Sequence, residues 1–405
     1  MNRKGAALTD NRWVILGVLV VARTSMGYQF QSIGSISPSL IDDLGISHAE
    51  VGTLIGLFML PGVAMALPGG VLTQRLGDKR VCGAGLALMI AGGALAAAGQ
   101  SYTFALIGRL LMGTGGVLLN LTLTKMAIDW FAGRQIVTAM GILLGSWPLG
   151  IALGLLTQPA LAELVSWAAV LYTTTAICAA ALALVIGAYH RPRSVVRDLS
   201  TANPRGFLVP ARIMASATAA GLAWGAFNVG LVVYFSFAPD LLIARGTTAN
   251  NASSLVSTAL WVSLVSVPLG GFIAQRLGRI NVIIAVFTLG AGAALFAMPY
   301  VGVPLAISVV VGICLAPAGA LFALPTTALS EEHRAAGIGI FYTWYYVAMA
   351  AGPGIAGLGR DLTDSPSVPL LIGGAMFVAT PMLVAAFRFI DRRGPPLDSK
   401  PLPTT

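Results

Sequence analysis

The chain carries the stretch Gly69-Gly70-Val71-Leu72-Thr73-Gln74-Arg75-Leu76-Gly77 and repeats it 201 residues later as Gly270-Gly271-Phe272-Ile273-Ala274-Gln275-Arg276-Leu277-Gly278. Seven of the nine positions are identical or closely similar. Each copy follows the second of six long apolar segments, so the two copies hold the same place in two successive halves. If both copies face the same side of a membrane, the two halves are predicted to be related by a rotation about an axis along the membrane normal.

The composition is typical of an integral membrane protein. Of the 405 residues, 57% are hydrophobic and 10% are charged, and the mean hydropathy is +0.84. Soluble domains contain about 25% charged residues, and a membrane-spanning helix needs about 20 apolar residues. We therefore predict an all-α fold of twelve transmembrane helices in two six-helix parallel repeats, at 13–36, 49–69, 81–99, 103–126, 136–157, 167–188, 211–237, 250–271, 280–299, 303–325, 336–358 and 368–389.

The basic residues indicate how the chain is oriented. Of the 24 Lys and Arg residues, about 20 fall in or directly beside alternate loops and the two termini, and the formal net charge is +9. The other loops contain only Arg245 and Arg360, together with an acidic run around Asp42 and Asp43. Because basic loops stay in the cytoplasm, we predict a multi-pass inner (plasma) membrane protein with both termini cytoplasmic. The excess of basic residues therefore indicates the orientation of the chain in the membrane. The expected partner is the lipid bilayer and not nucleic acid. The chain is expected to be a monomer.

The apolar boundaries divide the chain into five segments. They are a cytoplasmic N-terminus at 1–12, an N-terminal six-helix half at 13–188, a cytoplasmic central loop at 189–210, a C-terminal six-helix half at 211–390 and a cytoplasmic tail at 391–405. The central loop is rich in Arg, Pro and Ser, and its basic charge keeps it on the cytoplasmic side.

Two motifs resemble those of a known family. The pattern Gly70-x-x-x-Gln74-Arg75-x-Gly77-Asp78-Lys79-Arg80 is similar to the signature loop between the second and third helices of the major facilitator superfamily. That family usually has an acidic residue at the place of Gln74 and a basic one at the place of Asp78. The pattern Arg109-x-x-x-Gly113-x-Gly115-Gly116 resembles its fourth-helix motif. Within the superfamily, the run from Arg23 to Pro38 resembles the cyanate and 2-nitroimidazole transporter branch.

The resemblance implies a mechanism of alternating access, in which the signature loop holds the cytoplasmic side closed. Exposed ion pairs contribute only about 0–1 kcal/mol each, but a conformational equilibrium needs a bias of only a few kcal/mol. The alternative is that these residues serve topology alone. The predicted gating residues are Gly70, Arg75, Gly77, Asp78, Lys79, Arg80, Asp129, Gly271 and Arg276.

Two arginines, Arg23 and Arg109, lie within predicted spans that contain no Asp, Glu or His. An arginine at the centre of a membrane helix costs about 2.5–3.5 kcal/mol on insertion scales. Arg23 is about ten residues into its span, hence about 15 Å deep. With no carboxylate to pair with, each arginine is predicted to bind an anion from outside the protein. The alternatives are that Arg23 caps helix carbonyls and that Arg109 organises helix packing or gating.

Polar and aromatic residues at similar depth supply further candidate ligands. The predicted substrate-binding residues besides the arginines are Tyr28, Gln29, Asn120, Trp224, Asn228, Tyr342 and Tyr345. Adding the repeat offset of 201 residues to the position of Arg23 gives Trp224. The C-terminal half is therefore predicted to place an aromatic wall opposite the cation. The alternative for each aromatic residue is packing. The three Cys and three His residues have no metal-type spacing, so no metal or cofactor is expected.

These features predict a secondary active transporter for a small, organic, carboxylate-like anion. It would work by alternating access between the two halves, with the anion held by the intramembrane arginines. The alternative is a drug or antimicrobial efflux transporter of the same fold. An enzyme is not expected, because the sequence shows no arrangement of nucleophile, base and orienting group.

Overall fold

The computed structural model describes residues 11–65, 72–73, 75–131, 135–190, 210–327 and 333–392. The regular elements in these ranges are helices, as the sequence predicts. They are α1 Arg12–Ser35, α2 Ser37–Leu44, α3 His48–Leu57, α4 Pro61–Met65, α5 Asp78–Gly99, α6 Tyr102–Phe131, α7 Ile136–Leu164, α8 Trp167–Ala188, α9 Ala211–Ala244, α10 Ala249–Leu277, α11 Ile280–Ala297, α12 Pro304–Cys314, α13 Ala318–Phe322, a 3₁₀ turn Leu324–Thr327, α14 Arg334–Thr363 and α15 Val368–Arg392.

Ten segments of the described chain are long and apolar enough to cross a bilayer. Two of the twelve predicted spans are not among these ten segments. The tenth, at 303–325, is broken between α12 and α13 at Pro317, whose ring nitrogen cannot donate a backbone hydrogen bond. The eleventh coincides with α14, which is 30 residues long and is not among the ten apolar segments. The architecture is consistent with twelve spans, and that number remains a prediction.

Several helices run past the predicted spans. Helix α9 continues to Ala244 and α14 to Thr363, whereas the apolar pattern ends near 237 and 358. Their last turns therefore include Asp240 and Asp361. Backbone hydrogen bonding continues where hydrophobicity stops, so hydropathy locates the apolar part of a helix and not its end.

Opposite ends of the bundle carry opposite charge. We call the end with Asp42, Asp43, His48, Asp240 and Asp361 the acidic end. The end with Arg75, Arg80, Lys125, Arg276 and Arg279 is the basic end. Residues 11–190 are called the N-terminal half, and residues 210–392 are called the C-terminal half.

The two halves meet closely at the acidic end, where α3 packs on α14. A Cβ atom placed on Gly52 would collide with the carbonyl oxygen of Pro353, and one on Gly56 with that of Ala350. Small residues let membrane helices approach this closely. The Asp361 carboxylate also accepts hydrogen bonds from the backbone amides of His48 at 3.1 Å and Ala49 at 2.8 Å. The acidic end is therefore closed in this conformation.

At the basic end, the ion pairs formed between described residues stay within one half. Lys125 pairs with Asp78 at 2.9 Å and with Asp129 at 2.7 Å, all in the N-terminal half. Arg212 pairs with Asp391 in the C-terminal half at 3.5 Å. Among the ion pairs between two described residues, those that join the halves lie at the acidic end.

Candidate functional site

Arg23 lies halfway along α1 and is buried, with 7% of its surface exposed. Its Nη1 donates a hydrogen bond to Asn120 Oδ1 on α6 at 2.5 Å. Its Nε is buried and has no hydrogen-bond partner among the described residues. No salt bridge between described residues involves Arg23. The guanidinium is therefore held in place by a neutral amide, with donor capacity left over.

Three tyrosines of α14 face this arginine from the other half of the protein. Arg23 interacts electrostatically with Tyr342, Tyr345 and Tyr346. The three lie on one helix face because their spacing is i, i+3 and i+4. Their rings are in contact, with centroids 5.0 Å apart for Tyr345 and Tyr346. Tyr346 also interacts with the side chain of Asn120. We call Arg23, Asn120, Tyr342, Tyr345 and Tyr346 the arginine–tyrosine site.

Trp224 of α9 borders this site. Its ring lies 6.2 Å from that of Tyr345, 5.7 Å from Phe227 and 5.5 Å from Phe322. Asn228 lies one turn further along α9, where its Nδ2 donates to the Trp224 carbonyl at 2.8 Å. That bond turns the Asn228 amide back onto its own helix.

The structure gives Arg109 the packing role that the sequence left open as the alternative. The side chain is fully buried on α6. Its three guanidinium nitrogens donate to the carbonyls of Leu54, Gln29 and Phe30 at 2.9, 3.3 and 3.0 Å. The cation also lies 5.0 Å from the centroid of Phe58. Arg109 therefore ties α6 to α1 and α3, and each of its three guanidinium nitrogens has a backbone acceptor.

Two other predicted ligands contact helices of their own half. Gln29 Nε2 donates to the Met89 carbonyl on α5 at 3.1 Å. The Tyr28 hydroxyl lies 2.9 Å from Thr157 Oγ1 on α7. A helix turns by about 100° per residue, so both side chains point away from the face of α1 that carries Arg23. Conversely, the prediction missed Tyr346, although its spacing from Tyr342 was a usable signal.

Four of the predicted gating residues make contacts within their own half in this conformation, namely Asp78, Lys79, Asp129 and Arg276. Lys79 donates to the carbonyls of Ile186 at 2.7 Å and Tyr189 at 2.8 Å, and Lys125 joins Asp78 to Asp129. The glycine at 77 has φ +89° and precedes α5, and Gly271 borders open space. The arginines at 75, 80 and 276 are exposed, and the last lies 4.6 Å from the centroid of Phe272. The predicted gating residue Gly70 lies outside the described residues.

An aromatic layer separates the arginine–tyrosine site from the acidic end. Phe30 follows Arg23 by seven residues, which is about 10 Å along α1. Its ring contacts those of Phe58, Trp147 and Phe235, with centroids 5.3, 5.2 and 6.3 Å away. Because these rings come from both halves, they block passage towards the acidic end.

A cleft of about 320 Å³ is lined by residues of α1, α7 and α10. Its lining includes Val20, one turn from Arg23 towards the basic end, Gly145 and Ser146 of α7, and Leu264 and Pro268 of α10. The cleft is thus bounded by both halves and lies towards the basic end, and no residue of the arginine–tyrosine site lines it.

Comparison with known proteins agrees with this fold. The sequence matches the Major Facilitator Superfamily over residues 19–241 and 213–404. It is 21% identical over 248 residues to the hexuronate transporter of Bacillus subtilis, which covers 59% of this chain and 58% of that protein. It is 25% identical over 263 residues to the probable nitrate/nitrite transporter NarK2 of Mycobacterium tuberculosis, which covers 62% of this chain and 64% of that protein. The chain thus spans less than two thirds of either relative.

A solved structure is similar along nearly the whole chain. It is the crystal structure of a mutant of the nucleoside transporter NupG, with a TM-score of 0.74 and 17% sequence identity. The similarity covers 94% of this chain and 100% of that one, and it shows the fold. Together with the helical bundle and the match over both halves, it establishes that this multi-pass membrane protein belongs to the Major Facilitator Superfamily.

Proposed function

We propose that this transporter carries a small, organic, carboxylate-like anion and that Arg23 is its principal ligand. The observation that carries the proposal is a buried guanidinium whose Nε has no partner among the described residues. An unpaired charge at this depth is costly, and a bound anion offsets the cost.

The geometry of the site suits a carboxylate. The bond to Asn120 uses Nη1 and leaves Nε free, and Nε belongs to an edge of the guanidinium that can bind both oxygens of a planar anion. The hydroxyls of Tyr342, Tyr345 and Tyr346 can donate to the anion or accept from a hydroxyl group on it. Trp224 supplies an apolar face for the carbon skeleton.

Alternating access follows from the way the two halves share the site. Arg23 and Asn120 belong to the N-terminal half, and the tyrosines belong to the C-terminal half. A rocking motion that opens the acidic end and closes the basic end changes the access to the same ligands. Basic loops stay in the cytoplasm, so we place the protein in the inner membrane with both termini cytoplasmic. The present conformation is then the one that faces inward.

The relatives support an anionic substrate. One is a hexuronate transporter and another is a probable nitrate/nitrite transporter, and both substrates are anions. At this level of identity the relatives support the class of substrate and leave its identity open. A direct test must therefore cover both organic and inorganic anions.

The test is uptake into proteoliposomes by wild type, Arg23→Lys, Arg23→Gln and the control Arg279→Gln, which removes an exposed arginine. The substrates would be hexuronates, aldonates, simple carboxylates, nitrate and cyanate, with a cationic dye for the efflux alternative. We expect Arg23→Lys to weaken binding because it lacks the planar fork, Arg23→Gln to nearly abolish transport, and the control to retain it. Normal anion transport by a folded Arg23→Gln variant would overturn the proposal, and so would transport restricted to the dye.

A further inference from the structure

A second group of polar side chains lies between the halves, on the acidic side of the aromatic layer. It consists of Gln31 on α1, Gln158 on α7 and Ser236 on α9, which are 1%, 0% and 4% exposed. The oxygens Gln31 Oε1, Gln158 Oε1 and Ser236 Oγ have no hydrogen-bond partner within the described chain. We call these three side chains the oxygen cluster.

Two glycines allow the three side chains to converge. A Cβ atom placed on Gly34 would lie 3.0 Å from Gln31 Nε2 and 3.2 Å from Ser236 Oγ. One placed on Gly154 would lie 3.1 Å from the Gln31 side chain and 3.2 Å from Gln158 Cδ. Gln31 is therefore the common neighbour of the other two, and no larger residue at either glycine would leave this space.

Each amide nitrogen of the cluster already has one acceptor. Gln31 Nε2 donates to Ser35 Oγ at 3.3 Å, and Gln158 Nε2 donates to the Tyr28 carbonyl at 2.8 Å. Each nitrogen keeps a second N–H and Ser236 has an O–H, but each of the three unpartnered oxygens has two lone pairs, so the cluster has an excess of lone pairs.

This combination selects a class of ligand. Oxygen ligands suit hard cations, whereas calcium sites are built with carboxylates and the cluster has none. None of the three side chains takes up a proton in the physiological pH range. We propose that Gln31, Gln158 and Ser236 form a binding site for a monovalent alkali cation.

The position of the site gives the cation a conformational effect. Gln31 and Gln158 belong to the N-terminal half, and Ser236 belongs to the C-terminal half. A cation bound by all three bridges the halves next to the closed acidic end. Its binding therefore stabilises the conformation described above, because a ligand favours the state that offers it more contacts.

The test measures the cation alone, without any anionic substrate beyond a constant chloride concentration. Purified protein is titrated with NaCl, KCl or LiCl against choline chloride at equal ionic strength, and the Tm is recorded for wild type, Ser236→Ala and Gln31→Leu. Gln29→Leu is the matched control, because Gln29 is also a buried amide of α1 with an unpartnered oxygen, but it faces α5. Spin labels at the acidic end report its closure in the same samples.

We expect one alkali cation to raise the Tm of wild type by a few degrees, in a saturable way, and to shorten the distance across the acidic end. Ser236→Ala and Gln31→Leu should lose both responses, and Gln29→Leu should keep them. Ser236→Ala removes only a hydroxyl and so keeps the test valid if the glutamine variant does not fold. Equal Tm values in alkali and choline salts overturn the proposal, as does a cation response that survives in Ser236→Ala or disappears in Gln29→Leu. These outcomes are independent of whether Arg23 binds an anion.

Discussion

Arg23 and Arg109 are buried arginines of the same half, and their partners give them different roles. Arg109 donates to three backbone carbonyls on two neighbouring helices. Arg23 bonds to one amide and keeps a donor without a partner in the described chain. An arginine whose nitrogens all have backbone acceptors acts as a structural cross-link, whereas an arginine with a buried nitrogen that lacks a partner is available to a ligand.

Substitution separates these two roles. Arg109→Gln should reduce the free energy of unfolding by about 1–3 kcal/mol for each carbonyl left without its donor. Thermal unfolding in detergent measures this loss, and Arg23→Lys serves as the comparison because its Tm should stay close to that of wild type. A stable Arg109→Gln variant with weakened anion binding would instead make Arg109 a ligand.

The tyrosine hydroxyls are expected to contribute to affinity. Tyr346→Phe removes the hydroxyl that interacts with both Asn120 and Arg23, while the ring remains in the aromatic cluster. Loss of a hydrogen bond to a charged group costs about 1.5–3 kcal/mol, so the Kd of the anion should rise roughly 10-fold or more, with little change in Tm. Titration calorimetry measures it, with Tyr300→Phe as the exposed control. An unchanged anion Kd for Tyr346→Phe would show that the tyrosine hydroxyls of α14 are not part of the binding site.

At the scale of elements, α3 and α14 form the closed end of the bundle. The N-terminus of α3 receives the Asp361 carboxylate from α14, and His48 Nδ1 lies 2.9 Å from the same carboxylate. Partial burial alone would raise the pKa of Asp361, but the hydrogen bonds from Ala49 and His48 outweigh it and hold the pKa below its usual range. Arg360 and Asp240 complete the group at 3.4 Å from each other.

The contacts of Asp361 predict that closure of the acidic end depends on the charge of this residue and on the pH. Asp361→Asn should open the acidic end, and His48→Ala should do so less, because the backbone amides of α3 still bind Asp361. Since the pKa of Asp361 is lowered when the end is closed, this stabilisation is present above the ordinary carboxyl range and is lost as the pH falls through the lowered value. Spin-label distances across the acidic end measure both effects. Distances in Asp361→Asn that match wild type would show that the carboxylate does not hold the halves together.

Helix packing at the same interface gives a second prediction. Gly56→Ala places a methyl group against the Ala350 carbonyl, a contact formed only when the acidic end is closed. Overpacking costs about 1–3 kcal/mol, which shifts the equilibrium towards the open acidic end about 5- to 150-fold. Gly141→Ala is the control, because open space surrounds that position. Accessibility of engineered cysteines to a polar reagent reports the shift, and equal labelling of Gly56→Ala and the control would contradict it.

At the scale of the whole molecule, the two ends are stabilised differently in this conformation. The acidic end is joined across the halves by Asp361 and His48, whereas Lys79 and Lys125 at the basic end bond within the N-terminal half. A rocking carrier must exchange one set of contacts for the other. The gating role of the basic residues therefore concerns the opposite conformation.

We predict that Arg75 and Arg276 stabilise that opposite conformation. Replacing both with glutamine should shift the population further towards the state with the closed acidic end and slow turnover more than it weakens affinity. Distances between spin labels at the basic end, together with the kcat and KM of uptake, measure the two effects. Distance distributions that do not change would leave these arginines with a role in topology alone.

The sequence by itself determined the architecture. Hydropathy is a property of local composition, so the apolar segments, the helical class and the repeat of Gly69–Gly77 at Gly270–Gly278 are visible without any tertiary contact. The depth of Arg23 follows in the same way, because helix rise converts sequence distance into depth. The repeat also predicts an aromatic wall at Trp224 opposite Arg23, since two halves on one plan place equivalent residues at equal height.

Only the tertiary structure decided which buried polar groups have a hydrogen-bond partner within the protein. Arg23 and Arg109 have the same chemistry and similar surroundings in the sequence, but helix rotation brings the carbonyls of Leu54, Gln29 and Phe30 to Arg109. Rotation likewise turns Gln29 towards α5 and places Tyr346 beside Asn120. The physical reason is that hydrophobic patterning sets which segments are buried, while the partner of each buried donor depends on contacts between helices far apart in the chain.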